Sequence, residues 1–163
     1  MNNNTIIILL VVLVLLSAFF SATETAFSSL NKVRLKYLAN NGNKKAQKTL
    51  KLADDFTSLL STILIGNNIV NITASSLSTV LFINMFGENG VSLSTLVMTI
   101  IILIFGEITP KSIAKEMPES YAMTVCSIIS VLNTILKPVN FFFDRIKRFA
   151  SLVFKNKEED NSM

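Results

Sequence analysis

The segment Gly106-Glu107-Ile108-Thr109-Pro110-Lys111 places a glycine, a carboxylate and a proline together, directly after the apolar run Leu93 to Phe105. In a regular helix the amide of residue 110 would bond the carbonyl of residue 106. Proline has no amide hydrogen, and its ring pushes that carbonyl aside. The expected result is a free Gly106 carbonyl beside the Glu107 carboxylate, in a helix broken at membrane depth. Such a break is tolerated where the backbone lines a cavity or binds an ion. An ionisable group in a spanning helix faces inward and is functional by default. The competing reading is a proline kink with a protonated Glu107.

Two further polar clusters interrupt apolar sequence. Ser17, Ser21, Glu24 or Thr25, and Ser28 step at three to four residues, which makes one stripe on a helix. Small hydroxyls of this kind also bond back to their own helix or ease helix packing. Glu24 lies where it could pair with Lys32 or be solvated. The second cluster is Gly66-Asn67-Asn68-Ile69-Val70-Asn71, with Ser75 and Ser78 in register with Asn71. Its amides read equally as hydrogen-bond glue between helices or as a set of carbonyl ligands.

The donor chemistry selects the ion. There is no histidine, the one cysteine is Cys126, and Met85 and Met98 do not follow the polar stripes. A zinc site of Cys and His is excluded, as is a disulfide within the chain. Carboxylate, amide, hydroxyl and backbone oxygens suit Mg2+, Ca2+ or Na+ rather than zinc or copper. Residues 52 to 110 contain no Lys or Arg, so a bound cation or a proton must balance the carboxylate.

The elements that must position these groups follow from composition. Half of the 163 residues are apolar, more than the core of a soluble domain of this size needs. The surplus is bunched in Ile6 to Phe20, Leu59 to Phe86 and Leu93 to Phe105. With its flanks, each run reaches the ~20 residues of a spanning helix. The leader Met1-Asn2-Asn3-Asn4 has no positive charge and no cleavage site follows, so the first helix is expected to be retained.

All fifteen Lys and Arg residues fall between Lys32 and Lys51 or between Lys111 and Lys157. The positive-inside rule puts both segments in the cytoplasm, with the N-terminus and the Glu88 loop outside. The net charge of +4 is then an orientation signal and an attraction to anionic lipid headgroups, with no nucleic-acid partner expected. The reading is an all-α membrane protein with three transmembrane helices, at about residues 5–30, 57–86 and 92–114. Cytoplasmic juxtamembrane amphipathic helices are expected at about 31–55, broken at Asn40-Asn41-Gly42-Asn43, and at about 120–154. A fourth span through Tyr121 to Leu136 would export Lys137, Arg145, Lys147 and Arg148, so that stretch is placed along the membrane surface. Residues 155–163 read as a charged tail or linker.

These clusters, in this order, resemble the transmembrane domain of the CorC/CNNM (cyclin M) family, also described as DUF21 or hemolysin-like. The matching signatures are Ser21-Ala22-Thr23-Glu24-Thr25-Ala26 with Ser28, Gly66-Asn67-Asn68 with Asn71, and Gly106 to Lys111 with Ala114. They cover roughly residues 5–150. The resemblance implies a homodimeric magnesium transporter that exports Mg2+ in exchange for inward Na+. It also implies an ion site drawn from Ser21, Ser28, Asn67, Asn68, the Gly106 carbonyl and Glu107. Family members usually continue into cytoplasmic CBS domains that bind adenine nucleotide. Residues 155–163 are too few to form one, so nucleotide regulation is not expected of this segment. The other functional class compatible with the sequence is a membrane anchor or dimerisation module whose Asn and Ser residues are packing glue. A weaker possibility is a proton relay through Glu24 and Glu107. No enzyme is expected, because there is no nucleotide-binding glycine loop and no nucleophile with a recognisable base.

Overall fold

The computed structural model describes residues 2–139, and all of the regular structure in them is helical. Helix α1 spans Asn3–Ser29, and α2 and α3 follow at Lys32–Asn40 and Lys44–Asp54. Helix α4 (Phe56–Phe86) leads through a short 3-10 turn, Gly87–Asn89, into α5 (Gly90–Ile101). A π-helical segment, Ile102–Ile108, joins α5 to α6 (Thr109–Glu116), and α7 covers Pro118–Ile135. The surface helix expected beyond Pro138 and the tail at 155–163 lie outside the described residues.

Two helical stretches, Asn3–Ser29 and Phe56–Glu116, are long and apolar enough to cross a membrane. The second has 61 residues, which at ~1.5 Å per residue is about three times a ~30 Å hydrocarbon core. It doubles back at the 3-10 turn. Buried Ser78 of α4 and Ser94 of α5 share a 2.9 Å hydrogen bond, so the two hydroxyls satisfy each other inside the hairpin. At the apex, Gly90 lies where a Cβ would meet the Phe82 carbonyl and the Ile83 amide nitrogen. Because that obstacle is backbone, Gly90→Ala is expected to destabilise the hairpin by ~1–3 kcal/mol. Thermal unfolding in detergent would read this as a lowered midpoint, and an unchanged midpoint would contradict it.

Side-chain contacts fix the helix directions. Asn84 of α4 donates to Asn3 of α1 at 3.4 Å, while Ser17 of α1 reaches Asn67 of α4, so these helices are antiparallel. Ser17 also reaches Gly106, and Glu24 reaches Lys111, so α1 runs parallel to the π segment and α6. Large apolar side chains stay exposed along all three, including Ile8, Leu15, Ile72, Leu96 and Phe105. An aqueous protein rarely presents so much contiguous hydrocarbon, whereas lipid solvates it without penalty.

Helices α2 and α3 form a hairpin below this bundle. Asn31 and Asn43 cap them, each side chain accepting from two backbone amides in the first turn. Leu35, Ala39 and Ala46 pack into a small core of their own. Helix α7 folds back over α1, α3 and the start of α4, burying Ala122, Val125, Cys126 and Ile129. Asn133 accepts from Ser58 at 3.1 Å and from Thr62 at 2.7 Å. Nearly buried Glu119 ties α7 to the hairpin, accepting from the Asn31 amide at 3.0 Å and pairing with Arg34 at 3.6 Å.

The expected helix break at Pro110 takes a different form. The chain stays helical through the proline, and the preceding turn is widened so that the Thr109 amide donates to the Ile104 carbonyl five residues back. A π turn absorbs the ring without interrupting the helix, in keeping with its frequent occurrence at functional positions.

Candidate cation site

Three helices meet at Ser17. Its hydroxyl is buried and lies 3.3 Å from Asn67 Oδ1 and 3.4 Å from the Gly106 carbonyl oxygen. The close approach depends on glycine, because a Cβ at position 106 would lie 2.9 Å from Ser17 Oγ and 3.2 Å from Ser17 Cβ. Counting along the chain, Pro110 withholds the α-helical donor to Gly106 and the π-helical donor to Phe105. The Ser17 proton is therefore the side-chain donor that faces Gly106.

A serine hydroxyl has one proton and cannot satisfy two acceptors at once. The junction thus draws together a hydroxyl, an amide and a backbone carbonyl oxygen. One turn further along α1, Ser21 is 1% exposed and its Oγ has no hydrogen-bond partner among the described residues. Asn71 Oδ1, one turn from Asn67 on α4, is likewise buried and unpartnered. Buried polar atoms are overwhelmingly paired in folded proteins. Because α1 and α4 are antiparallel, these two orphans lie a turn to either side of the junction, and Ser21 is the one on the side of Glu24, where an electropositive guest would find it. Ser21→Ala separates the roles: thermal stability without ion is expected to hold or rise, because an unsatisfied hydroxyl is removed, while Mg2+ affinity falls. Lower stability with unchanged affinity would make Ser21 a packing residue.

Beside the junction lies a charged trio. Lys111 Nζ is 3.1 Å from Glu107 Oε1 and 3.3 Å from Glu24 Oε2. The side chains of Glu107, Glu24 and Lys111 are 39%, 27% and 33% exposed, so the carboxylates lie at the rim of the helix contact and are not sealed inside it. Among the described residues the acidic groups here form a pair, and no three metal-ligating side chains cluster, so any cation must draw on neutral oxygens as well.

The expected site residues therefore divide. Asn67, Gly106 and Ser21 are at or beside the junction, and Glu107 is next to it in the charged trio. Asn68 is exposed, and Ser28 is exposed and donates to the Glu24 carbonyl of its own helix at 2.8 Å. Lys32, a candidate partner for Glu24, instead donates to the Ala53 carbonyl at 3.0 Å. Two residues outside the expected set, Ser17 and Lys111, make the contacts that join the helices here. Ser17 was visible as the first member of the α1 stripe, and Lys111 as the residue four after Glu107, a spacing at which opposite charges meet on a helix.

Comparison with known proteins identifies the family. The cyclin M transmembrane N-terminal domain family matches residues 8–163. The UPF0053 inner membrane protein YfjD of Escherichia coli is 38% identical over 132 residues, which cover 81% of this chain and 31% of that protein. A DUF21 domain-containing chloroplastic protein of Arabidopsis thaliana is 42% identical over 123 residues, covering 76% of this chain and 19% of its own length. A polyamine export protein of Haemophilus influenzae is 28% identical over 152 residues, covering 85% and 35%. The chain thus spans about a third or less of these curated relatives. Match and helical architecture together place this chain in the cyclin M (CNNM) transmembrane-domain family, as a membrane protein.

Proposed function

We propose that this domain binds Mg2+ between α1, α4 and the π segment and carries it across the membrane, with export driven by inward Na+. The observation that carries the reading is the junction at Ser17, where one buried hydroxyl lies against Asn67 Oδ1 and the Gly106 carbonyl beside the unpartnered Ser21. Glu107 supplies the charge, and Ser21, Asn67 and the Gly106 carbonyl supply neutral oxygens. Mg2+ keeps several of its waters when bound, so a half-exposed carboxylate beside buried oxygens suits it.

In this reading the chain crosses three times, through α1, α4 and α5 continuing into α6, with the N-terminus outside. The antiparallel α1–α4 pair and the parallel α1–α6 pair fit that alternation, and the basic α2–α3 hairpin and α7 lie on the cytoplasmic surface. The domain acts as a homodimer. Transport proceeds by rearrangement around Gly106 and the π turn, where the helix is least regular.

The test is Mg2+ efflux from loaded proteoliposomes under an inward Na+ gradient. Efflux that is saturable and lost when external Na+ is replaced supports the reading. Saturable Mg2+ binding without efflux would limit the domain to an ion site, and neither binding nor efflux would leave a membrane anchor.

A second substrate reading rests on Lys111. Its side chain is an alkylammonium held between Glu24 and Glu107, so the pair accepts the head of a primary amine. A relative at 28% identity is named a polyamine export protein. Competition of a linear diamine with Mg2+ in the same liposomes separates the two substrates.

A further inference from the structure

We propose that Lys111 is the tethered counter-ion of the empty site, holding the Glu24–Glu107 pair until the transported cation displaces it. The inference rests on the cation-site reading and adds how the site is regulated between ion-bound and ion-free states.

The trio is built across two helices. Lys111 reaches Glu107 one turn back on its own helix and Glu24 on α1. An ammonium offers three donors and no acceptor, so it can serve both carboxylates at once. Without it, two partly desolvated negative charges would face each other across the α1–α6 contact, which is unfavourable. With it, α1 and α6 are stapled beside the oxygen junction.

Mg2+ arriving at Glu107 meets an ammonium 3.1 Å from Oε1, and although the carboxylate has a second oxygen, the two cations repel each other and compete for the same negative charge. Lysine is suited to yielding. Its charge is a compact, strongly hydrated group on a flexible four-carbon stem, and at 33% exposure it can swing into water. The same group can return when the ion departs, which keeps the pair neutralised and lowers the barrier to release. Lys111 thus sets affinity by competition, and it links ion occupancy to the grip of α1 on α6.

Two measurements test this on the protein in detergent. The first is amine acylation of native protein, with Lys111 modification followed by mass spectrometry. Saturating Mg2+ is expected to raise the Lys111 rate several-fold, while Lys36 on the exposed surface stays constant. An unchanged or slower rate in protein that binds Mg2+ would overturn the inference.

The second is calorimetric Mg2+ titration of native protein, Lys111→Gln and Lys111→Arg. Removing the competitor is expected to tighten Mg2+ binding about tenfold in Lys111→Gln, while Lys111→Arg stays near native or binds more weakly. Equal or weaker binding in Lys111→Gln, with binding in the native chain intact, makes Lys111 a structural staple alone. No saturable binding in either native protein or Lys111→Gln overturns the cation-site reading itself. The labelling experiment uses the unaltered chain, so it decides the question even where the Gln variant misfolds.

Discussion

Glu107→Gln is expected to weaken Mg2+ binding about a hundredfold, equivalent to ~2.7 kcal/mol, and to reduce Mg2+ efflux to the level of protein-free liposomes. The substitution keeps size and one carbonyl oxygen but removes the charge. At the junction every other donor is neutral, and Glu24 lies one helix away, held by the same Lys111. Desolvating a hard divalent cation is compensated chiefly by anionic oxygen, so loss of that oxygen is the largest single change available to the site. Glu107→Gln also frees Lys111 to favour Glu24, so the fold should persist and its thermal midpoint should move little. Calorimetric titration alongside a melting curve separates the two effects. Native affinity in the variant would remove Glu107 from the site.

Gly106→Ala is the second large effect, and it works by geometry. A methyl at 106 would press on Ser17 Oγ at 2.9 Å and on Ser17 Cβ at 3.2 Å, both on a buried side chain fixed to its helix. Either α1 shifts away or the Ser17 hydroxyl rotates off its two acceptors. Overpacking of this kind costs ~1–3 kcal/mol of stability. Because the Gly106 carbonyl, Ser17 and Asn67 move apart together, Mg2+ affinity should fall at least about tenfold, ~1.4 kcal/mol, although no acidic group is touched. Melting and titration of the same sample check both parts. A destabilised protein with native affinity would place the ion away from this junction.

Much of the fold was legible because hydrophobic runs of spanning length leave few alternatives, and because Asn40-Asn41-Gly42-Asn43 marks the turn between α2 and α3. The Gly87–Asn89 turn follows from the same runs: an apolar stretch three times the bilayer thickness has to fold back. The π turn was not legible. Proline announces a missing donor, but whether the helix breaks or widens depends on what packs against it, and here α1 comes close enough at Gly106 for the helix to continue.

Site residues were legible to within a turn. The stripe on α1 named Ser17, Ser21 and Ser28 alike, and only the crossing with α4 and the π segment distinguishes the two that are buried from Ser28, which bonds its own backbone. Asn67 and Asn68 are chemically identical, yet successive helical residues point ~100° apart, so one meets Ser17 and the other is exposed. Lys111 was read as the end of the Gly106 to Lys111 segment and the start of a basic cytoplasmic one, with no place in the expected site. Its side chain instead extends back along α6 to Glu107 and across to Glu24, a reach that sequence spacing suggests for the first partner and cannot suggest for the second.

The central claim is that the three-helix junction at Ser17 is where the cation sits, and anomalous X-ray diffraction from crystals grown with Mn2+ in place of Mg2+ tests it most directly. The account predicts one strong anomalous peak bounded by Glu107, the Gly106 carbonyl, Asn67 and Ser21, weakened by excess Mg2+ and absent in Glu107→Gln. A peak elsewhere in the bundle, or none at this junction under saturating Mn2+, would contradict it.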